Sequence, residues 1–256
     1  MKNDLFSIGP FTVHGYGLMI AIGVLSAYYM VEYRAKKKQM DWEKVFPLTV
    51  WSVLGGFLGS KILYLLTRLP DILANPALLG SSIKDGFVVY GGIIGGILTA
   101  WIYCKCTKWN FWKIFDIAMP AVAMAQGFGR IGCLLAGCCY GIELDPANPI
   151  GIVFHNSAYA PNDVALLPTQ IISSVLDFLH FGILLYIARH KKKDGQVAAC
   201  YLIFYSVGRF VIEFFRGDII RGSVGILSTS QFISIFTGIA GIVLLVLVAK
   251  KRSPQE

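Results

Sequence analysis

Long apolar segments alternate with short polar ones along the whole chain. Seven segments reach the roughly 20 mostly apolar residues that a spanning helix needs. They fall at 13–33, 46–66, 87–104, 114–135, 167–188, 197–215 and 225–249. The pattern predicts an all-α polytopic membrane protein with about seven transmembrane helices, a single membrane domain over 1–256. Only Lys2, against Asp4, precedes the first segment, and no small-residue cleavage pattern follows it. It therefore reads as a retained span rather than a signal peptide. The longest polar stretch, about 136–166, holds no Lys or Arg and carries turn signals at Asp145-Pro146, Asn148-Pro149 and Pro161-Asn162-Asp163.

The polar segments sort by charge. Fifteen of the 23 basic residues occupy the loops after segments one, three and five and the tail, including Arg34, Lys36, Lys105, Arg189, Lys251 and Arg252. Lys2, Arg68, Lys84, Arg216 and Arg221 fall on the other side. The positive-inside rule then places the N-terminus outside and the C-terminus in the cytoplasm, with 136–166 as an outer loop. Composition agrees with a membrane protein. The chain is 55% hydrophobic and 15% charged, where a soluble domain runs near 45–50% and about 25%. This excludes a cytosolic enzyme, a disordered chain and a small disulfide scaffold. The net charge of +8 reports topology, and no nucleic-acid partner is expected.

Lys61, Arg130 and Arg209 remain inside or at the ends of spans, with Asp116, Asp177 and Glu213 as acidic counterparts. An ion at membrane depth costs roughly 2.5–3.5 kcal/mol on insertion scales, so each is a functional candidate. Lys61 and Asp177 have a competing reading as snorkelling side chains, and Asp116 as a residue of a cytoplasmic helix end. Gly55-Gly56-x-x-Gly59 and Gly91-Gly92-x-x-Gly95-Gly96 place small residues on one helix face, which favours close packing. Gly91 and Gly92, next to Tyr90, also suit a close backbone approach to a ligand. Of six cysteines, Cys133, Cys138 and Cys139 cluster in sequence. Burial as small apolar residues ranks first and a disulfide second. A metal site ranks last, because C-x₄-C-C lacks the paired spacing and a fourth ligand.

Two stretches carry a family pattern. Gly129-Arg130-Ile131-Gly132-Cys133 through Cys138-Cys139-Tyr140-Gly141 resembles the G-R-[IV]-G-N-F-x-N-x-E-x-[YW]-G signature of the prolipoprotein diacylglyceryl transferases. Tyr205, Arg209, Glu213 and Arg216 resemble the family's Y-x-x-x-R-x-x-x-E-x-x-R segment. Weaker echoes are Tyr16-Gly17-Leu18, Tyr90-Gly91-Gly92 in the place of His-Gly-Gly, Pro168-Thr169-Gln170 and Gln231-Phe232-Ile233-Ser234. The chain departs from the pattern where Cys133, Ala136 and Cys138 replace Asn, Asn and Glu, and where Tyr90 replaces His.

The resemblance implies transfer of the diacylglyceryl group of phosphatidylglycerol to the cysteine thiol of a lipoprotein signal peptide, with release of glycerol phosphate. Phosphatidylglycerol, signal peptides and the bilayer are the expected partners, in the bacterial plasma membrane. No cofactor and no metal are expected. The leaving phosphate needs preorganised cations, and a guanidinium fork matches it. Arg130 and Arg209 are the catalytic candidates, with Tyr90 beside them as a group that orients phosphate or shuttles a proton. Tyr16, Gly91, Gly92, Cys133, Cys138, Gly141, Tyr205 and Glu213 are the substrate-binding candidates. Glu213, four residues after Arg209, is placed to pair with it. A different acceptor, or a non-enzymatic or redox role for Cys133, Cys138 and Cys139, stands as the alternative. A transporter fits less well, since no paired broken helices or inverted repeat are present.

Overall fold

The computed structural model describes residues 4–9, 11–84, 86–218 and 222–250. Lys2, Arg221, Lys251 and Arg252, used in the charge count, lie outside these. Among the described residues, seven helices are long and apolar enough to cross a membrane. They are α1 (Gly15–Lys37), α2 (Val45–Thr67), α5 (Val89–Cys106), α6 (Phe111–Ala136), α7 (Thr169–His190), α8 (Gln196–Glu213) and α9 (Thr229–Lys250). The protein is thus a multi-pass membrane protein, as the apolar segments predict. The largest shifts are at α1, which runs four residues past the expected end, and at α9, which starts four residues after the expected start. Arg34, Lys36 and Lys37 form the last turn of α1, where cations complement the exposed carbonyls of the helix end.

The remaining elements are short. Strands β1 (Asp4–Ile8) and β2 (Phe11–His14) form a hairpin before α1. Helices α3 (Leu69–Ala74) and α4 (Leu78–Lys84) follow α2. Strands β3 (Ile152–Val153) and β4 (Ala165–Leu166) pair within the loop between α6 and α7. Strands β5 (Ser223–Val224) and β6 (Leu227–Ser228) pair before α9.

The chain divides into two compact units, Glu32–Ile114 and the remainder. In the first, α2 and α5 meet backbone to backbone. A Cβ on Gly91 would lie 2.3 Å from the Gly59 carbonyl oxygen, and one on Gly95 2.3 Å from that of Gly55. Only glycine fits such an approach. Lys61 of α2 donates to the carbonyls of Ser82 (3.3 Å) and Gly86 (3.0 Å) and lies over the Phe87 ring. These contacts explain its charge as structural.

In the second unit, Met119 and Ala123 of α6, Leu184 of α7, and Val197, Ala198 and Tyr201 of α8 form the buried core. Asp116 of α6, 1% exposed, holds the start of α8. It accepts from the backbone N–H groups of Gly195 and Ala198 (both 2.9 Å) and pairs with Lys191. Its carboxylate thereby satisfies donors that a helix start leaves open.

Candidate functional site

Three helices of the second unit supply a charged cavity. Arg130 sits near the end of α6, Asp177 and His180 on α7, and Tyr205 and Arg209 on α8. All five line one cavity of about 490 Å³. An adjoining apolar cleft of about 420 Å³ shares Leu176, Gly208 and Ile212 with it and continues along α7 and α8. Gly208 contributes no side chain, which opens α8 at this point.

The two arginines are held differently. Arg209 Nη2 forms an ion pair with Glu213 Oε2 at 2.8 Å and donates to Ser230 Oγ at 2.7 Å. Ser228 Oγ donates to the other Glu213 oxygen at 3.0 Å. The spacing of four residues gives this pair its shared helix face, as the sequence indicates. Arg209 Nη1 is buried and has no hydrogen-bond partner among the described residues. Burying such a donor costs free energy until an acceptor fills its place. Arg130 approaches Asp177 more loosely, with Nε 3.9 Å from Oδ2. That pairing favours the intramembrane-ion reading of Asp177 over the competing snorkelling one. His180, which the sequence reading passed over, stacks on Tyr201 at 5.2 Å. Its Nε2 also lacks a hydrogen-bond partner among the described residues. A single His in an apolar segment carries no spacing signal that would have found it. Tyr205 stacks on Tyr201 with centroids 5.8 Å apart.

The end of α6 builds a second feature. Gly137, at φ +73°, turns the chain out of the helix. The Gly137 N–H bonds the Leu134 carbonyl and the Cys138 N–H bonds the Cys133 carbonyl. This is the Schellman pattern of helix ends, and it folds residue 138 back over residue 133. The sulfurs of Cys133, Cys138 and Cys139 lie within 4.8 Å of one another. None of the three is in a disulfide among the described residues. Cys139 takes φ +62°, a conformation that costs a non-glycine residue roughly 1–2 kcal/mol. Hydrogen bonds at 2.8 Å from Thr169 to the Cys139 carbonyl and from Gln170 to the Cys138 carbonyl hold it there.

Hydrogen bonds from the Cys133 and Cys138 thiols, and then the Arg216 guanidinium, hold the Cys139 thiol well below its usual range. Arg216 itself is gripped by Asp218 through Nε (2.8 Å) and Nη2 (2.6 Å). Gly141 bridges to Arg216, and its N–H bonds the Leu167 carbonyl. A Cβ at Gly141 would lie 2.6 Å from that carbonyl oxygen, so glycine is required by space.

The other expected residues divide between the units. Tyr16 of α1 packs on Gly132, two residues from Arg130, within electrostatic reach of Arg130 and the three thiols. Tyr90, Gly91 and Gly92 open α5 in the other unit. There a Cβ on Gly91 would lie 2.3 Å from the Gly59 carbonyl oxygen, so helix packing accounts for Gly91, whereas one on Gly92 would make only ordinary contact, 3.4 Å from the Gly56 oxygen.

Comparison with known proteins gives one answer along the chain. The family model for prolipoprotein diacylglyceryl transferase matches residues 3–247. A phosphatidylglycerol–prolipoprotein diacylglyceryl transferase of Clostridium tetani is 47% identical over 94% of this chain and 96% of its own length. One from Clostridium perfringens is 45% identical, over 95% and 94%. One from Staphylococcus carnosus is 30% identical, over 98% and 92%.

Proposed function

Since the chain belongs to the prolipoprotein diacylglyceryl transferase family, we propose that it moves the diacylglyceryl group of phosphatidylglycerol onto the cysteine thiol of a lipoprotein signal peptide. The observation that carries this reading is the cavity shared by Arg130 and Arg209, with Arg209 Nη1 unsatisfied among the described residues. An anionic oxygen there completes the guanidinium's hydrogen bonds. In a low-dielectric site such donors act most strongly on charge that develops as the phosphate leaves. The apolar cleft along α7 and α8 suits acyl chains beside a charged headgroup. Glu213 and Ser230 position Arg209. Tyr205 and Tyr16 offer hydroxyls to the headgroup, and Tyr90 takes the place of the family His. The charge distribution favours a site facing outward in the bacterial plasma membrane.

The test is transfer from labelled phosphatidylglycerol to a signal-peptide substrate in membranes. Native protein is expected to label the peptide, and Arg209→Ala to lose the activity. Unchanged labelling by both Arg209→Ala and Arg130→Ala refutes the mechanism. The substitutions at Cys133, Ala136 and Cys138 favour asking about the acceptor as well. Complementation of a cell lacking its own transferase answers that directly.

A further inference from the structure

The three thiols at the end of α6 are placed like ligands. We propose that Cys133, Cys138 and Cys139 hold a thiophilic divalent cation of the zinc class, and that its open fourth position takes the acceptor thiol. This rests on the transferase reading above.

Zinc–sulfur bonds of about 2.3 Å place the sulfurs of one zinc site roughly 3.8–4.0 Å apart. The observed sulfurs lie within 4.8 Å of one another, so a contraction of at most about an ångström closes the site. The C-x₄-C-C spacing argues against zinc only for a zinc knuckle with its paired C-x₂-C. Here the helix-end turn performs the juxtaposition, through the Cys138 N–H bond to the Cys133 carbonyl. The supporting shell is already in place. Thr169 and Gln170 fix the backbone carbonyls of Cys139 and Cys138, which holds Cys139 at its positive φ. Such outer contacts orient ligands in metal sites.

Charge also fits. Three thiolates and a divalent cation leave one negative charge, and a fourth thiolate leaves two. Arg216 hydrogen-bonds Cys139, and Arg130 lies one helical turn before Cys133, on the same face. Three protein ligands with an open position are the arrangement of catalytic rather than structural zinc.

The chemistry meets a need of this chain. Tyr90 is a poor base when neutral, yet the acceptor must react as a thiolate. A coordinating thiol is deprotonated outright. The acceptor proton passes to solvent as its sulfur binds the cation. The sulfur then forms a bond to the glyceryl carbon. The bond from that carbon to the phosphate oxygen breaks with its electron pair, and the glycerol phosphate takes up one proton from solvent. The product is a thioether, a weak ligand that leaves readily. The cation keeps its charge throughout.

The test uses the full-length protein in detergent or nanodiscs. Elemental analysis is expected to find about one zinc per chain, as for an ordered site. Cd²⁺ added to metal-free protein is expected to give a thiolate-to-metal ultraviolet band. That band should strengthen with a signal peptide, and not with the same peptide carrying serine for its cysteine. Cys133→Ser, Cys138→Ser and Cys139→Ser should each lose the metal, while Cys106→Ser should keep it. Chelation of the native protein, which needs no folded variant, should lower transfer by on the order of 100-fold, the scale of a lost proton acceptor, and zinc should restore it. Full transfer by chelated protein overturns the proposal and leaves the transferase reading standing. So does a Cd²⁺ band unchanged in the triple serine variant, or a disulfide among the three cysteines in active protein. Metal binding with no transfer under any condition overturns the transferase reading, and the proposed role of the metal with it.

Discussion

The Asp116–Lys191 pair and the Arg209–Glu213 pair lie in the same unit and are both buried, but they are finished to different degrees. Asp116 receives the Lys191 ammonium and two backbone N–H groups, and it caps α8. Arg209 receives Glu213 and Ser230 and still has a buried Nη1 without a partner among the described residues. Burial is expensive for both, so it does not separate structure from function. Completeness does. A charge whose hydrogen bonds all close within the protein serves the fold. A charge left one acceptor short has kept a place for something from outside. Arg130, held from Asp177 at 3.9 Å, stands closer to the second kind.

Asp116→Ala tests the closed side and carries the largest expected effect. Removing one partner of a buried pair costs about 3–5 kcal/mol. The thermal midpoint in detergent should fall steeply, while turnover per folded molecule stays at the native value. A selective loss of turnover would break the comparison. Arg209→Ala tests the open side. Transfer should drop by about 10²–10³, or roughly 2.7–4 kcal/mol, the loss found when one preorganised donor to a developing anion is removed. Arg209→Lys should recover little of it, because an ammonium lacks the fork. Gly91→Ala comes third. Its new Cβ would meet the Gly59 carbonyl oxygen at 2.3 Å, and overpacking of this kind costs about 1–3 kcal/mol. The effect should appear in stability, with the KM for phosphatidylglycerol unmoved. A raised KM at native stability would instead assign the glycine to the ligand.

The seven spans were legible because apolar run length is a direct consequence of bilayer thickness. The Arg209–Glu213 pair was legible because it is local, four residues apart on one helix. Partners distant in the chain were not. Asp177 finds Arg130 across 47 positions, and nothing in either neighbourhood announces it. The short elements were missed for a related reason. Helices α3 and α4 and the two-residue strands are too brief for any hydrophobic period to show. The cysteines were legible as a cluster, but the distances among their sulfurs were not, because Gly137 reshapes the path between them. Gly137 was visible in the sequence, and its place one residue past the helix end was the available signal.

Tyr205→Phe asks for the smallest and most discriminating effect. Tyr205 lines the same cavity as Arg209 and stacks on Tyr201, with ring planes 8° apart. Phenylalanine keeps the stack and removes only the hydroxyl. If that hydroxyl serves an incoming headgroup, its loss forfeits one hydrogen bond, about 0.5–1.5 kcal/mol. The KM for phosphatidylglycerol should then rise roughly 2- to 12-fold, the same energy expressed as binding, with kcat and the thermal midpoint close to native. If the hydroxyl instead closes a bond within the protein, the variant should lose stability and leave KM alone, as Asp116 does on a larger scale. The two outcomes place Tyr205 on one side of the comparison or the other. A fall in kcat at constant KM would move it further, among the groups that act only as the phosphate departs.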